Sequence, residues 1–129
     1  KDVHAPGFYL HLEPDSSFLG MGLWHPDSKT ATKIRTAIVD RADEWKGIVT
    51  APKLLAEFKI GGYSLKRVPR GIDPNHPLLE DLKRKDFLIF KPLTEKETCK
   101  SRFINDFSGS CKLGAPFIRF LTSAVGLAW

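Results

Sequence analysis

Two short segments near the start of the chain alternate between apolar and polar residues, the pattern of a half-buried β-strand. The apolar positions of the first segment are Phe8, Leu10 and Leu12, and those of the second are Leu19, Met21 and Leu23. Between the segments, residues 14–17 read Pro-Asp-Ser-Ser, a composition typical of turns. The pattern therefore predicts a β-hairpin.

The faces of this hairpin follow from the spacing of its side chains. A slip of one residue would turn one apolar set into solvent, so we expect both sets to share the buried face. With a turn over residues 14–17, the other face carries three side chains with polar tips across from two glycines and an aromatic ring. The expected pairs are Tyr9 with Gly22, His11 with Gly20, and Glu13 with Phe18.

Helical spacing follows the hairpin. Apolar residues recur three and four positions apart at Ile34, Ile38, Ala42, Trp45 and Val49. This spacing places them on one stripe and predicts a single helix. Asp27 or Ser28 is suited to cap its N-terminus, since both side chains carry an oxygen that can accept from the first backbone N–H groups.

Proline and glycine mark two further helices. Pro52 suits the first turn of a short helix that reaches Phe58, and Gly61-Gly62 then breaks the chain. Pro77 is expected to begin a second helix, which runs to about residue 85.

Two more strands and two C-terminal helices complete the pattern. The strands are predicted over residues 63–68 and 86–93. Residues 94–97 form a capping box, and Ser108-Gly109-Ser110 is expected to be a hinge before the last helix. The buried faces of these two helices are marked by Cys99, Phe103, Phe107, Phe117, Phe120, Leu121 and Ala124.

These elements predict an α+β fold, because the helices cluster toward the end of the chain and do not alternate regularly with the strands. We expect a small, mostly antiparallel sheet of about four strands with helices packed on it and a C-terminal helical pair. Residues 1–129 are assigned to a single domain.

The composition of the chain limits the compartment and the kinds of partner that can be expected. The 129 residues are 42% hydrophobic and carry a formal net charge of +5, with basic and acidic residues interleaved. Cys99 and Cys111 lack metal-ligand spacing, and a reducing, cytoplasmic compartment with free thiols is the simplest interpretation. A disulfide between them is the alternative, because geometry and not spacing decides it. The apolar stretch of residues 113–129 is too short to span a membrane and contains Arg119, so no membrane association is expected.

The polar face of the hairpin is the first candidate site. Gly20 and Gly22 would leave a shallow trough, because glycine offers no side chain to fill it. Around it stand Tyr9, His11, Glu13 and Trp24, and aromatic walls with few polar groups are typical of small-ligand sites. The side chains of His11 and Glu13 project to the same side of the strand. This arrangement suits a general base with a carboxylate that orients it, or two metal ligands. Alternatively, a helix covers this face and buries His11.

A proline-rich loop over residues 66–77 is the second candidate site. Its prolines would hold Arg67, Arg70 and His76 with little flexibility, and arginines held in this way suit a carboxylate or a phosphate. Alternatively, Asp73 and Asn75 simply form turns, and the loop caps the helix that follows.

No phosphate-binding, metalloprotease or serine-hydrolase motif is present, and no cofactor or metal is assigned. We first expect a small-ligand-binding or interaction domain, with a small polar or anionic ligand in the trough and charge from Arg67 or Arg70. A hydrolase-type enzyme is the alternative, with His11 as base, Glu13 beside it, and His76 or Arg70 closing the site. A third interpretation is nucleic-acid binding through Lys66, Arg67, Arg70 and Lys83 to Lys85.

Several segments match a known family in order. They are residues 7–14 (GFYLHLEP), residues 20–26 (GMGLWHP), Ile34-Arg35, Pro69-Arg70-Gly71 and His76-Pro77. They resemble an uncharacterised conserved family, domain of unknown function 2461, from about residue 7 to at least residue 93. The resemblance implies that the chain is the C-terminal part of a longer protein, whose N-terminal segment packs on it. It implies no activity, so it assigns no catalytic residue.

Overall fold

The structure, a computed structural model, describes residues 6–13, 15–94 and 103–126. The strands in these ranges are β1 (Gly7–His11), β2 (Ser17–Leu23), β3 (Lys59–Gly61) and β4 (Phe87–Leu93). The helices are α1 (Ser28–Asp40), α2 (Ala42–Val49), α3 (Pro52–Glu57), α4 (Leu79–Leu82) and α5 (Phe103–Ala124). The predicted capping box and Cys99 fall wholly or mainly on residues 95–102, outside the described part.

The strands form one antiparallel sheet in the order β1-β2-β4-β3. Helix α5 packs against β2, and α1, α2 and α3 each contact α5, so the helices form a layer on one face of the sheet. The predicted α+β fold, with about four mostly antiparallel strands and helices packed on them, is confirmed.

The core lies between this helical layer and the central strands. The predicted residues Leu19, Met21 and Leu23 are buried, as are Phe87 and Ile89 beside them on β4. Their partners on the helices are Ile34, Ile38, Trp45, Phe117 and Phe120. Gly114 lets α5 approach β2 closely, because a Cβ at this position would collide with the sulfur of Met21.

The hairpin forms with the predicted parity but a different register. Tyr9 pairs with Gly20 and His11 with Phe18, two residues away from the predicted partners. The reason lies in the turn, where Ser17 Oγ accepts from the Glu13 backbone N–H and donates to the Glu13 carbonyl oxygen, both at 2.9 Å. These side-chain bonds lengthen the loop and end the strand pairing at His11.

The apolar side chains of the first predicted strand segment were expected to be buried, and this is wrong. The exposed fractions of Phe8, Leu10 and Leu12 are 45%, 41% and 59%. Phe8 and Leu10 do share a face with Met21 and Leu19. However, β1 is the edge strand, and the helices pack over the centre of the sheet and leave β1 uncovered.

Two predicted boundaries in the first half of the chain are wrong. The helix after Asp27 is interrupted at Arg41, whose guanidinium lies 4.3 Å from the ring centre of Phe120. The third strand is Lys59–Gly61, whereas residues 63–68 form only an isolated bridge, between Ser64 and Arg84.

Two helix predictions in the second half also need correction. The helix expected from Pro77 to residue 85 spans only Leu79–Leu82. The hinge expected at Ser108-Gly109-Ser110 is absent, because α5 continues through it and the described C-terminal part is one helix. Ser110 is buried, and its hydroxyl donates to Glu57 at 3.4 Å. Tertiary contact therefore outweighs the weak helix propensity of this triplet.

Candidate functional site

The face of the sheet opposite the helices carries a row of side chains centred on a glycine. Gly20 lies between Tyr9 of β1 and Phe90 of β4, which are its direct neighbours across the strands. Since Gly20 has no side chain, the two rings flank a stretch of bare backbone. The side chains of Tyr9, Phe18 and Trp24 are 41%, 38% and 61% exposed, so the predicted alternative of a helix covering this face is wrong for them.

A pocket of about 560 Å³ lies over this bare backbone. Its lining residues, contributed by β1, β2, β4 and the segment after β2, are mostly apolar. They are Tyr9, Leu10, His11, Phe18, Gly20, Trp24, Leu88, Ile89 and Phe90. The volume lies within the range of about 300–1,000 Å³ that is usual for small-molecule sites.

One end of the pocket carries an oriented imidazole. The ring of His11 stacks on Phe18, with centroids 5.1 Å apart, and its Nε2 lies 3.4 Å from Oε2 of Glu13. Ser16 donates its hydroxyl to the same carboxylate oxygen at 2.9 Å. The bond from Ser16, and then that from His11, hold the pKa of Glu13 below its usual value. Glu13 lies beside His11 and is not a lining residue.

Trp24 forms the other wall of the pocket. The buried carboxylate of Asp86 holds it in place indirectly, by binding His25. Trp24 stacks on His25 with ring centroids 4.8 Å apart. The backbone N–H of His25 donates to Oδ1 of Asp86 at 2.8 Å, and His25 Nδ1 lies 3.3 Å from the same oxygen. Asp86 is completely buried and thereby fixes the chain that presents Trp24.

Gly22 was predicted to share the trough with Gly20 but does not line the pocket. Its φ of +130° lies in a region that favours glycine, and a Cβ there would collide with the carbonyl oxygen of Phe87. Gly22 therefore serves the close approach of β2 and β4. At Gly20 an added Cβ would make ordinary contacts with Phe18 and Tyr9, at 3.6 and 3.8 Å.

The residues of the proline-rich loop are not brought to the pocket. Arg67 and Arg70 are exposed, and neither they nor His76 line it. His76 Nδ1 accepts the backbone N–H of Leu78 at 3.0 Å, so this side chain orders the turn before α4, as the turn-forming alternative predicted. Across the described residues, no three His, Cys, Asp or Glu side chains form a group that could hold a metal ion.

Sequence reasoning missed Leu88, Phe90 and Asp86. A signal for the first two was present, because Leu88 and Phe90 alternate with the buried Phe87 and Ile89 and must face the other side of β4. However, the alternation of apolar residues does not reveal that β4 lies next to β2 in the sheet. Nothing in the sequence distinguishes Asp86 from the other carboxylates of the chain.

The pocket can accept a flat molecule between aromatic side chains, with Tyr9 and His11 as its polar groups. The fold and this pocket define a class of protein: an α+β domain whose single sheet keeps one face open. The chain belongs to the family of conserved hypothetical proteins designated domain of unknown function 2461, whose family model matches residues 1–120. No curated protein and no solved structure matches the chain. In the described residues, no helix combines the length and apolar character needed to cross a membrane.

Proposed function

We propose that this chain is a ligand-binding domain and that its site is the pocket over Gly20. The observation that carries the proposal is the row Tyr9–Gly20–Phe90, in which two rings flank a position without a side chain. A sheet without a binding role would gain stability from a β-branched residue at Gly20, since such a residue fits a pleated surface. A Cβ at Gly20 would make only ordinary contacts, with Phe18 at 3.6 Å and Tyr9 at 3.8 Å.

The lining favours a flat, mainly apolar, uncharged ligand with one hydrogen-bonding group. The aromatic side chains offer stacking surfaces, and the imidazole of His11 lies at one end of the pocket. The arginines that were expected to attract an anion are not lining residues, and the Glu13 carboxylate beside His11 disfavours negative charge there. We therefore place neutral aromatic compounds before anionic ones.

The hydrolase alternative has a weaker basis. His11 and Glu13 do lie together as a base and a carboxylate would. However, His76 is engaged in its own turn, and the hydroxyl beside the pair, that of Ser16, donates to Glu13 and is not bonded to His11.

The proposal is tested by titrating the protein with 2-naphthol and mapping backbone chemical-shift changes by NMR. We expect saturable changes that cluster at Tyr9, Gly20, Trp24 and Phe90. Gly20→Val fills the floor of the pocket and should abolish them. Gly109→Val adds the same atoms on α5, where a Cβ meets nothing within 4 Å, and should leave binding unchanged.

The anion 2-naphthoate separates the two ligand classes. Weaker binding of 2-naphthoate than of 2-naphthol supports the neutral class, whereas tighter binding would reinstate an anionic ligand at the same pocket. Unchanged 2-naphthol binding by Gly20→Val, or shift changes spread over the surface, would refute the pocket as the site.

A further inference from the structure

Strand β1 is exposed in a way that the rest of the sheet is not. It lies at the end of the strand order, and in the described part of the chain only β2 pairs with it. Both of its faces reach solvent, with Phe8 and Leu10 on the helical side and Tyr9 on the open side. Contiguous exposed apolar side chains of this kind mark interaction surfaces in folded proteins.

The two edges of the sheet differ in protection. Proteins usually guard an edge strand by keeping it short or by placing charged residues on it, because its unpaired backbone groups can bind another strand. β3 has both devices, since it has three residues and begins with Lys59. β1 has five residues, Gly-Phe-Tyr-Leu-His, with no Lys, Arg, Asp, Glu or Pro.

We propose that β1 is an intermolecular pairing strand that joins two copies of this chain in antiparallel fashion about a two-fold axis at Tyr9. The side-chain order is self-complementary about this residue. Phe8 of each copy would pair with Leu10 of the other, and Gly7 would pair with His11. No like charges are brought together, and cross-strand aromatic–aliphatic pairs stabilise antiparallel sheets.

A second copy fits this edge better than an unrelated extended peptide. Any strand would satisfy the backbone groups, but a two-fold pair also lets the exposed Phe8 and Leu10 of both copies cover one another. The pairing closes after two copies, because the other edge of the sheet is the short, lysine-bearing β3. The two four-stranded sheets then form one continuous sheet. This inference does not depend on the proposed ligand.

Sedimentation over a concentration series tests the assembly. The wild-type chain of 14.5 kDa should approach twice that mass at high concentration. Phe8→Lys, which places a charge on the edge and does not alter a pocket residue, should remain monomeric. Leu55→Lys is the matched control, because Leu55 is 47% exposed on α3, and this variant should dimerise like the wild type.

A wild type that stays monomeric throughout, or one that grows into open-ended assemblies, would overturn the proposal. Equal dimerisation of wild type and Phe8→Lys would also overturn it, once circular dichroism shows that the variant is folded.

Disulfide trapping tests the position of the axis without relying on Phe8→Lys. In a chain with Cys99 and Cys111 replaced by Ala, Tyr9→Cys should oxidise to a covalent dimer. The Cα atoms of directly opposed residues lie about 4.5–5.5 Å apart in an antiparallel pair, and disulfides span about 4.4–6.8 Å. Leu12→Cys should not cross-link, because the two copies of residue 12 would lie about 20 Å apart. Equal trapping at both positions would contradict an axis at Tyr9.

Discussion

The backbone N–H of His25 donates to Oδ1 of Asp86 at 2.8 Å, which ties the chain leaving β2 to the residue before β4. The second oxygen of the same carboxylate accepts the backbone N–H of Tyr63 at 2.9 Å. One buried side chain therefore fixes two turns, and it also holds the residue on which Trp24 stacks. Asp86 therefore contributes both to the position of Trp24 in the pocket wall and to the stability of the fold.

Asp86→Asn should destabilise the protein by about 2 kcal/mol, because the amide keeps one acceptor and turns N–H donors toward a backbone N–H group. The measurement is the free energy of unfolding in urea. Asp40→Asn, on the exposed end of α1, is the control and should change stability little. Equal losses in the two variants would show that Asp86 does not act as this shared acceptor.

Two glycines on α5 should respond in opposite directions to the same substitution. Gly114→Ala places a methyl group against the sulfur of Met21, and overpacking of this kind costs about 1–3 kcal/mol. Gly109→Ala meets nothing within 4 Å and gains helix propensity worth about 0.5–1 kcal/mol.

Thermal unfolding of both variants checks this prediction. The melting temperature should fall for Gly114→Ala and rise for Gly109→Ala. A rise in both would mean that α5 does not lie as close to β2 as described, and a fall in both would speak against a continuous helix through the expected hinge.

Arg35, on α1, binds the backbone carbonyl groups at the C-terminal end of α4. Its Nε donates to the carbonyl oxygen of Leu82 at 2.7 Å, and its Nη2 donates to that of Arg84 at 2.8 Å. Burial lowers the pKa of this guanidinium, but arginine stays charged at neutral pH. Arg35→Lys preserves the charge but cannot supply both donors in this geometry, so we expect a loss of about 1–2 kcal/mol in unfolding free energy.

Lys33→Ala is the control on the same helix, since Lys33 is exposed and the change should leave the urea midpoint nearly unmoved. If Arg35→Lys is as stable as the wild type, the two hydrogen bonds of the guanidinium do not contribute to stability as described.

The hairpin shows how much of the fold could be predicted from sequence. Alternation identified the buried face of β2, and with it the face that carries Tyr9, His11 and Gly20. The register could not be predicted, because Ser17 bonds to the backbone of Glu13 and lengthens the turn. Nor could the exposure of β1, because strand alternation does not reveal which strand lies at the edge.

The third strand illustrates a tertiary effect that local patterns do not contain. The glycines after Ile60 predicted a break, yet Gly61 ends β3 and pairs with Leu88. The ring of Phe90 lies where a Gly61 side chain would be, so packing from the next strand replaces what the glycine lacks. The same ring lines the pocket, and this explains why a site built across β1, β2 and β4 was only half visible in the sequence.

The loop of the hairpin should be sensitive to acid because of Glu13. The bonds from Ser16 and His11 favour the ionised carboxylate, so its pKa in the folded protein lies below its value of about 4.5 in the unfolded chain. A group with a depressed pKa contributes stability above its unfolded pKa and loses it as the pH falls through the folded pKa. Glu13→Gln should therefore lower the melting temperature at neutral pH, and the difference from the wild type should vanish in strong acid.

Ser16→Ala provides the matching test of the cause. Removal of the stronger bond should move the Glu13 carboxyl titration, followed by NMR, back toward the usual pKa. In the Glu13→Gln background, Ser16→Ala should add little further loss, because the two side chains act as one pair. A melting-temperature difference that persists unchanged into strong acid would show that Glu13→Gln acts through packing or loop shape. A Glu13 titration that Ser16→Ala leaves unmoved would assign the shift to His11 alone.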